Sequence, residues 1–198
     1  MPRAVFPRLP ALCAALLAVL LAAALPVRAE EAVRARVDAV SFSKSGDDQL
    51  LVSFRVVDAA DARVAETLDS GLPVRFVFRV RLMRPSGLPF GGLVADKQFE
   101  RVLEKDNLKN RYRVVEGEEK RDAASLEEAL VRMGTVENYA VAPLSVADGG
   151  GVRVEIQVKL EEFRLPFHLH RILPFMNFWD VTTPWAFAAI PAELPKRP

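Results

Sequence analysis

His168 and His170 are the only histidines in the chain. On a strand, residues i and i+2 share a face, so this pair could grip one metal ion. A metal site needs at least a third ligand, and the nearest carboxylates, Glu161, Glu162 and Asp180, follow no signature spacing. The pair therefore reads as solvated or internally satisfied, and neither a metal nor any other cofactor is expected. Arg75, Arg79 and Arg81 line one face of an alternating segment and could hold an anionic group such as a lipid headgroup. The plainer expectation is cross-strand pairing with Glu155 and Glu161, at about 0.2–1 kcal/mol per pair. Residues 163–187 hold Phe163, Phe167, Phe175, Phe178, Trp179, Trp185 and Phe187. Such a cluster either packs over a sheet or offers an apolar surface to a membrane protein or the bilayer interface, where amphipathic Trp is at home. The candidate binding residues are accordingly Phe167, Phe175, Phe178, Trp179 and Trp185, with Arg75 and Arg79.

Signatures of catalysis are missing. The sequence contains no G-x-S-x-G, S-x-x-K or H-E-x-x-H and no phosphate-cradling glycine loop. Gly91-Gly92 and Gly149-Gly150-Gly151 lack the strand-to-helix context in which glycines bind phosphate. The adjacent carboxylates Glu118-Glu119 and Glu127-Glu128 read as solvated surface, without the burial that raises a catalytic pKa. The chain is expected not to be an enzyme.

The elements that would position these residues are mostly strands. Val33, Ala35, Val37 and Ala39 alternate with polar residues, and Leu50, Val52, Phe54 and Val56 follow a turn at residues 45–48. The two runs predict a hairpin. Residues 59–70 change to a helical period, with Asp58 and Gly71 as candidate caps. Val74, Phe76, Phe78, Val80 and Leu82 make the clearest strand. Weaker strands follow around residues 97–105, through Phe99, Arg101 and Leu103, and near Tyr112 and Val114. Residues 116–121 are charged and read as exposed. A second helix carries Leu126, Leu130 and Met133, capped by Asp122 or Ser125 and ended by Gly134. Residues 137–142 read as a short edge strand stopped by Pro143, and Val152, Val154, Ile156, Val158 and Leu160 alternate again. About seven alternating strands with two short helices favour antiparallel sheets, each with one wet face. The fold class expected is mainly β, an antiparallel β-sandwich, with an open sheet packed by the two helices as the alternative.

The N-terminus carries an address. Arg3 and Arg8 precede an apolar run at residues 11–25, Pro26 breaks it, and Val27-Arg28-Ala29 offers small or branched residues at −3 and −1. These are the parts of a signal peptide, expected at residues 1–29 and either cleaved or kept as an anchor. The remaining 198 − 29 = 169 residues (30–198) suit one domain with an aromatic C-terminal tail at residues 163–198. That domain carries 24 basic and 26 acidic side chains, since three of the chain's 27 Lys and Arg lie in the signal. A net charge of −2 argues against nucleic-acid binding. Cys13, the chain's one cysteine, also lies in the signal, so no disulfide framework is expected. An exported domain without disulfides suggests a bacterial periplasmic setting.

The order of features also resembles a known family. Ser70-Gly71-Leu72-Pro73 precedes the strong strand. Asp106-Asn107-Leu108-Lys109-Asn110-Arg111-Tyr112-Arg113-Val114 follows it, then Ser125-Leu126-Glu127-Glu128-Ala129-Leu130. The end runs through Phe163-Arg164-Leu165-Pro166 to a Trp-containing tail. This pattern, over roughly residues 33–187, resembles the bacterial exported proteins catalogued as domain of unknown function 4390. The resemblance implies association with a sensor histidine kinase of the nitrogen-regulation type, and it supplies no catalytic residue. The expected function is that of a non-catalytic periplasmic protein that binds another envelope protein. The alternative is a module for a lipid or apolar small molecule with the tail as its lid.

Overall fold

The computed structural model describes residues 35–59, 62–85, 92–146, 151–162 and 180–196. They all lie in one compact unit, Val33–Pro198. The expected signal at residues 1–29, both histidines, and Phe167, Phe175, Phe178 and Trp179 fall outside the described residues.

The described residues form ten strands, β1 Arg36–Lys44, β2 Gln49–Val57, β3 Val74–Arg84, β4 Gly92–Asp106, β5 Arg111–Glu116, β6 Glu119–Ala123, β7 Thr135–Pro143, β8 Arg153–Glu162, β9 Asp180–Thr182 and β10 Ala186–Ala189. Two helices join them, α1 Ala62–Asp69 and α2 Leu126–Gly134. The smaller sheet has the order β1-β2-β7, and the larger has β10-β8-β3-β4-β5-β6 with β9 also on β8. Every strand pair is antiparallel. The chain makes the β1–β2 hairpin, crosses through α1 to the β3–β6 meander, returns through α2 to β7, and re-enters the larger sheet at β8.

Alternation sets which face is inside. Val74, Phe76, Phe78, Val80 and Leu82 of β3 are fully buried, as are Val154, Val158 and Leu160 of β8. They meet Leu50, Val52 and Phe54 of β2, also buried. Aromatic rings stitch the two layers together: Phe54 lies 6.0 Å from Phe78, Phe78 stacks on Phe99 at 4.6 Å, and Phe99 meets Tyr139 of β7 at 4.3 Å. The sandwich expected from the sequence is the architecture found, and the open-sheet alternative is not. The buried side chains of both sheets and both helices form one hydrophobic cluster.

Three strands exceed the expected seven. Residues 116–121 read as exposed charge, yet β6 pairs with β5 across a tight turn at Gly117, whose φ is +57°. β9 and β10 lie within the aromatic tail and share the outer edge of β8. Between them, buried Thr183 satisfies both groups of Val158: its Oγ1 accepts from the Val158 amide at 3.0 Å, and its own amide donates to the Val158 carbonyl at 2.9 Å. From residue 180 onward the tail is therefore part of the sandwich. It continues to Pro195, whose carbonyl accepts from the Lys44 amide at 3.0 Å, so it runs from the larger sheet back to the edge of the smaller one.

The helix ends show how local chemistry and packing share the work. α1 stops in a Schellman motif, with the Leu72 amide donating to the Thr67 carbonyl, the Gly71 amide to the Leu68 carbonyl, and Gly71 at φ +80°. Asp58 is not an N-cap next to α1; it sits at φ +56° and pairs with Arg36. At α2 the cap is Ser125, whose hydroxyl accepts from the Glu128 amide, and Asp122 belongs to β6. Gly134 ends α2 as expected, as its last helical residue, and extended Thr135 follows. The reason for glycine is space. A Cβ at Gly134 would sit 2.7 Å from the Val56 carbonyl oxygen, a backbone atom that cannot swing aside. Gly134→Ala should therefore push α2 off β2, cost about 1–3 kcal/mol, and lower the melting temperature by several degrees. A melting temperature equal to the parent's would show that the two backbones are not held so close.

Candidate functional site

The outward face of the larger sheet carries the described candidates. The odd-numbered residues of β3 point there, since the even ones are buried in the core. Registration then fixes the rows. Arg75 faces Val102 of β4 and Glu161 of β8; Arg79 faces Gln98 and Gln157; Arg81 faces Asp96 and Glu155. A bulge between Ala95 and Leu93 opposite Leu82 and Met83 returns Leu93 to the same outward face.

Each of these arginines lies beside a carboxylate. Arg75 reaches Glu100 at 3.1 Å and Glu161 at 3.3 Å. Arg79 grips both oxygens of Asp96, at 3.1 and 2.6 Å. That two-pronged contact holds the Asp96 carboxyl below the usual carboxylate range, with Arg81 3.5 Å away adding to the effect. The Asp96 contribution is thus present above the ordinary carboxylate pKa and lost as pH falls through the lowered one. Arg153 pairs with Glu155, and Lys159 with Glu161, each at 2.8 Å. The expected pairing with Glu161 is found at Arg75. Glu155 instead takes Arg153, while the carboxylate nearest Arg81 is Asp96. A row of arginines that looks like an anion site in the sequence is thereby balanced by carboxylates from both neighbouring strands.

Two aromatics from the tail complete the face. The Arg81 guanidinium lies 4.7 Å from the centre of the half-buried Trp185 ring. The Arg153 guanidinium lies 5.7 Å from that of Phe187, which is 62% exposed. The structure therefore brings Arg75, Arg79 and Trp185 onto one face. Arg81, of the same arginine row, and Phe187, of the same aromatic cluster, belong with them, as do Asp96 and Leu93, which the sequence did not single out. The signal for Arg81 was its phase in the β3 alternation; Leu93 had none, because the bulge changes its phase. Among the described residues, no group of three or more His, Cys, Asp or Glu could hold a metal ion.

No curated protein and no solved structure shows significant similarity to the chain. A family model does: the domain of unknown function DUF4390 matches residues 32–187, which takes in every strand except the last residues of β10. The strand-helix-strand segment, the 106–114 stretch and the second helix all lie within that match, and the chain belongs to the DUF4390 family.

Proposed function

We propose that this chain is a non-catalytic protein of the bacterial cell envelope, exported to the periplasm, that binds another envelope protein through the outward face of its larger sheet. The extracytoplasmic part of a sensor histidine kinase is the partner that the family resemblance suggests. The observation that carries the reading is the pairing of exposed Phe187 and half-buried Trp185 with Arg153 and Arg81 on the outward face of paired antiparallel strands. Arginine and aromatic side chains are the types enriched where protein interfaces are strongest. Leu93, 56% exposed, extends the apolar surface at the same end of the sheet. Ion pairs between neighbouring strands use the charges of this face for registration, which suits a contact surface more than an acid–base centre.

The test is direct binding of the purified chain to the purified periplasmic part of the sensor kinase from the same bacterium. Phe187→Ser is the informative variant, since an exposed ring can be removed with little effect on the fold. It should weaken binding by about tenfold or more, the loss of one interface anchor. Absence of binding by the folded parent, or equal affinity in Phe187→Ser and Leu93→Ser, would remove this surface from consideration.

A further inference from the structure

We propose that a cavity at the tip of the β4–β5 hairpin binds an oxyanion, the phosphate or carboxylate group of a small ligand. The cavity has a volume of about 430 Å³ and lies between the hairpin tip, the end of β6 and the start of α2. Lys109 and Arg111 line it, with Asp122 and Glu128 as its only acids. A second crevice of about 180 Å³ shares Lys109, Arg111 and Asp122.

The two acids are already engaged. Asp122 accepts from Arg113 Nε at 2.8 Å. Glu128 accepts from the Ala124 amide at 2.9 Å and from Arg132 at 2.7 Å. Both carboxyls are held below their ordinary range by these bonds, so both stay ionised and paired near neutral pH. The cations are not consumed in the same way. Arg111 has no ion pair among the described residues, and Lys109 comes only within 4.0 Å of Asp106. Two positive charges thus face one cavity; Asp122 attracts both through space, but among the described residues neither side chain donates a hydrogen bond to a carboxylate, so their donors remain open to an oxyanion.

The tip that presents them is built, not loose. One Asp106 oxygen accepts from the amides of both Leu108 and Lys109, at 3.1 Å each. Asn107 donates to the Asp69 carbonyl at the end of α1, and Asn110 holds the left-handed turn at φ +48°. The backbone positions of both cations are therefore set before a ligand arrives, which lowers the ordering cost of binding. An oxyanion would accept from both, in charge-assisted hydrogen bonds. The start of α2 adds a smaller favourable dipole on the same side.

Titrating the full chain with inorganic phosphate, and separately with succinate, at low ionic strength tests the assignment by calorimetry and amide chemical shifts. Binding should shift the amides of residues 109–111 and 122–124. The double variant Lys109→Gln/Arg111→Gln should weaken it by about tenfold or more. Arg55→Gln/Lys97→Gln, which removes the same charge from exposed positions elsewhere, should leave it nearly unchanged. Binding of either probe with this pattern supports the site, and the probe that binds names the group. No binding of either probe, or equal loss in the control, overturns it.

Discussion

Phe78→Ala is expected to destabilise the protein by about 3–5 kcal/mol, because a fully buried ring would leave a cavity that a rigid sheet cannot close. Phe78 is where the two layers interlock. Its ring has Phe54 of the opposite sheet at 6.0 Å, Phe76 of its own strand at 6.2 Å and Phe99 stacked at 4.6 Å. Its strand is paired along its length on both sides, with β4 and β8, so the backbone cannot move inward without breaking two ladders. Against a total stability of about 5–15 kcal/mol, the loss is a large share. In urea the midpoint should fall by about 1–3 M with the slope unchanged. A loss below about 1 kcal/mol would mean that β2 and β3 do not face each other across this ring.

Arg101→Met should be nearly as damaging, for a different reason. Arg101 is 5% exposed, on the inward side of β4 between Phe99 and Leu103. Its guanidinium donates to the carbonyls of Arg132, Met133 and Thr135 at 3.0, 3.1 and 2.5 Å, and to Glu116 at 2.7 Å. It also lies 5.6 and 5.9 Å from the ring centres of Phe78 and Phe99. One side chain thus satisfies the carbonyls at the end of α2, where the dipole favours a cation, and ties the helix to the larger sheet. Methionine would keep most of the packing while leaving those carbonyls and Glu116 without this donor. The expected loss is about 2–4 kcal/mol, from carbonyls that lose a charged donor, since Glu116 is 30% exposed and keeps Arg121 as a partner. Arg101→Lys should recover only part of it, because a single ammonium cannot reproduce the planar fork. Thermal melts of the two variants decide: Arg101→Met within about 2 °C of the parent would show that the helix end is satisfied otherwise.

How far the fold could be read in advance depended on how local its causes are. β3 and β8 were legible because each alternate side chain goes to an apolar core or to water, and that choice is written residue by residue. β1 was legible in kind but not in phase. Ala39 adopts φ +53° inside a bulge between Asp38 and Ser41, so Ala39 turns outward, and Val40 and Phe42 take over the inward positions. β6 was hidden because Glu119, Lys120, Arg121 and Asp122 offer no apolar stripe; its partners, Arg113 with Asp122 and Glu116 with Arg121, lie on or at the end of β5. β9 and β10 are three and four residues long, too short to show a period.

The same division runs through the candidate sites. Arg75, Arg79 and Trp185 could be picked out by residue type. That carboxylates would balance the arginines, and that an arginine would lie over each of Trp185 and Phe187, depended on registers between segments up to about a hundred residues apart. In the sequence, the 106–114 stretch stands out as one of the segments that carry the family resemblance. Its role as one wall of a cavity came from where β6 and α2 end beside it.

The sequence by itself determined the antiparallel sandwich class and the inward stripes of β2, β3 and β8, and it narrowed the cap of α2 to Asp122 or Ser125. Those follow from side-chain period and short-range hydrogen bonding, which need no knowledge of distant partners. Only the tertiary structure decided that Gly134 serves close packing, that Arg101 holds the end of α2, and that residues 180–189 of the tail line the edge of β8. In each case the controlling neighbour is remote in the chain, and its identity is set by how two sheets and a helix come to rest against one another.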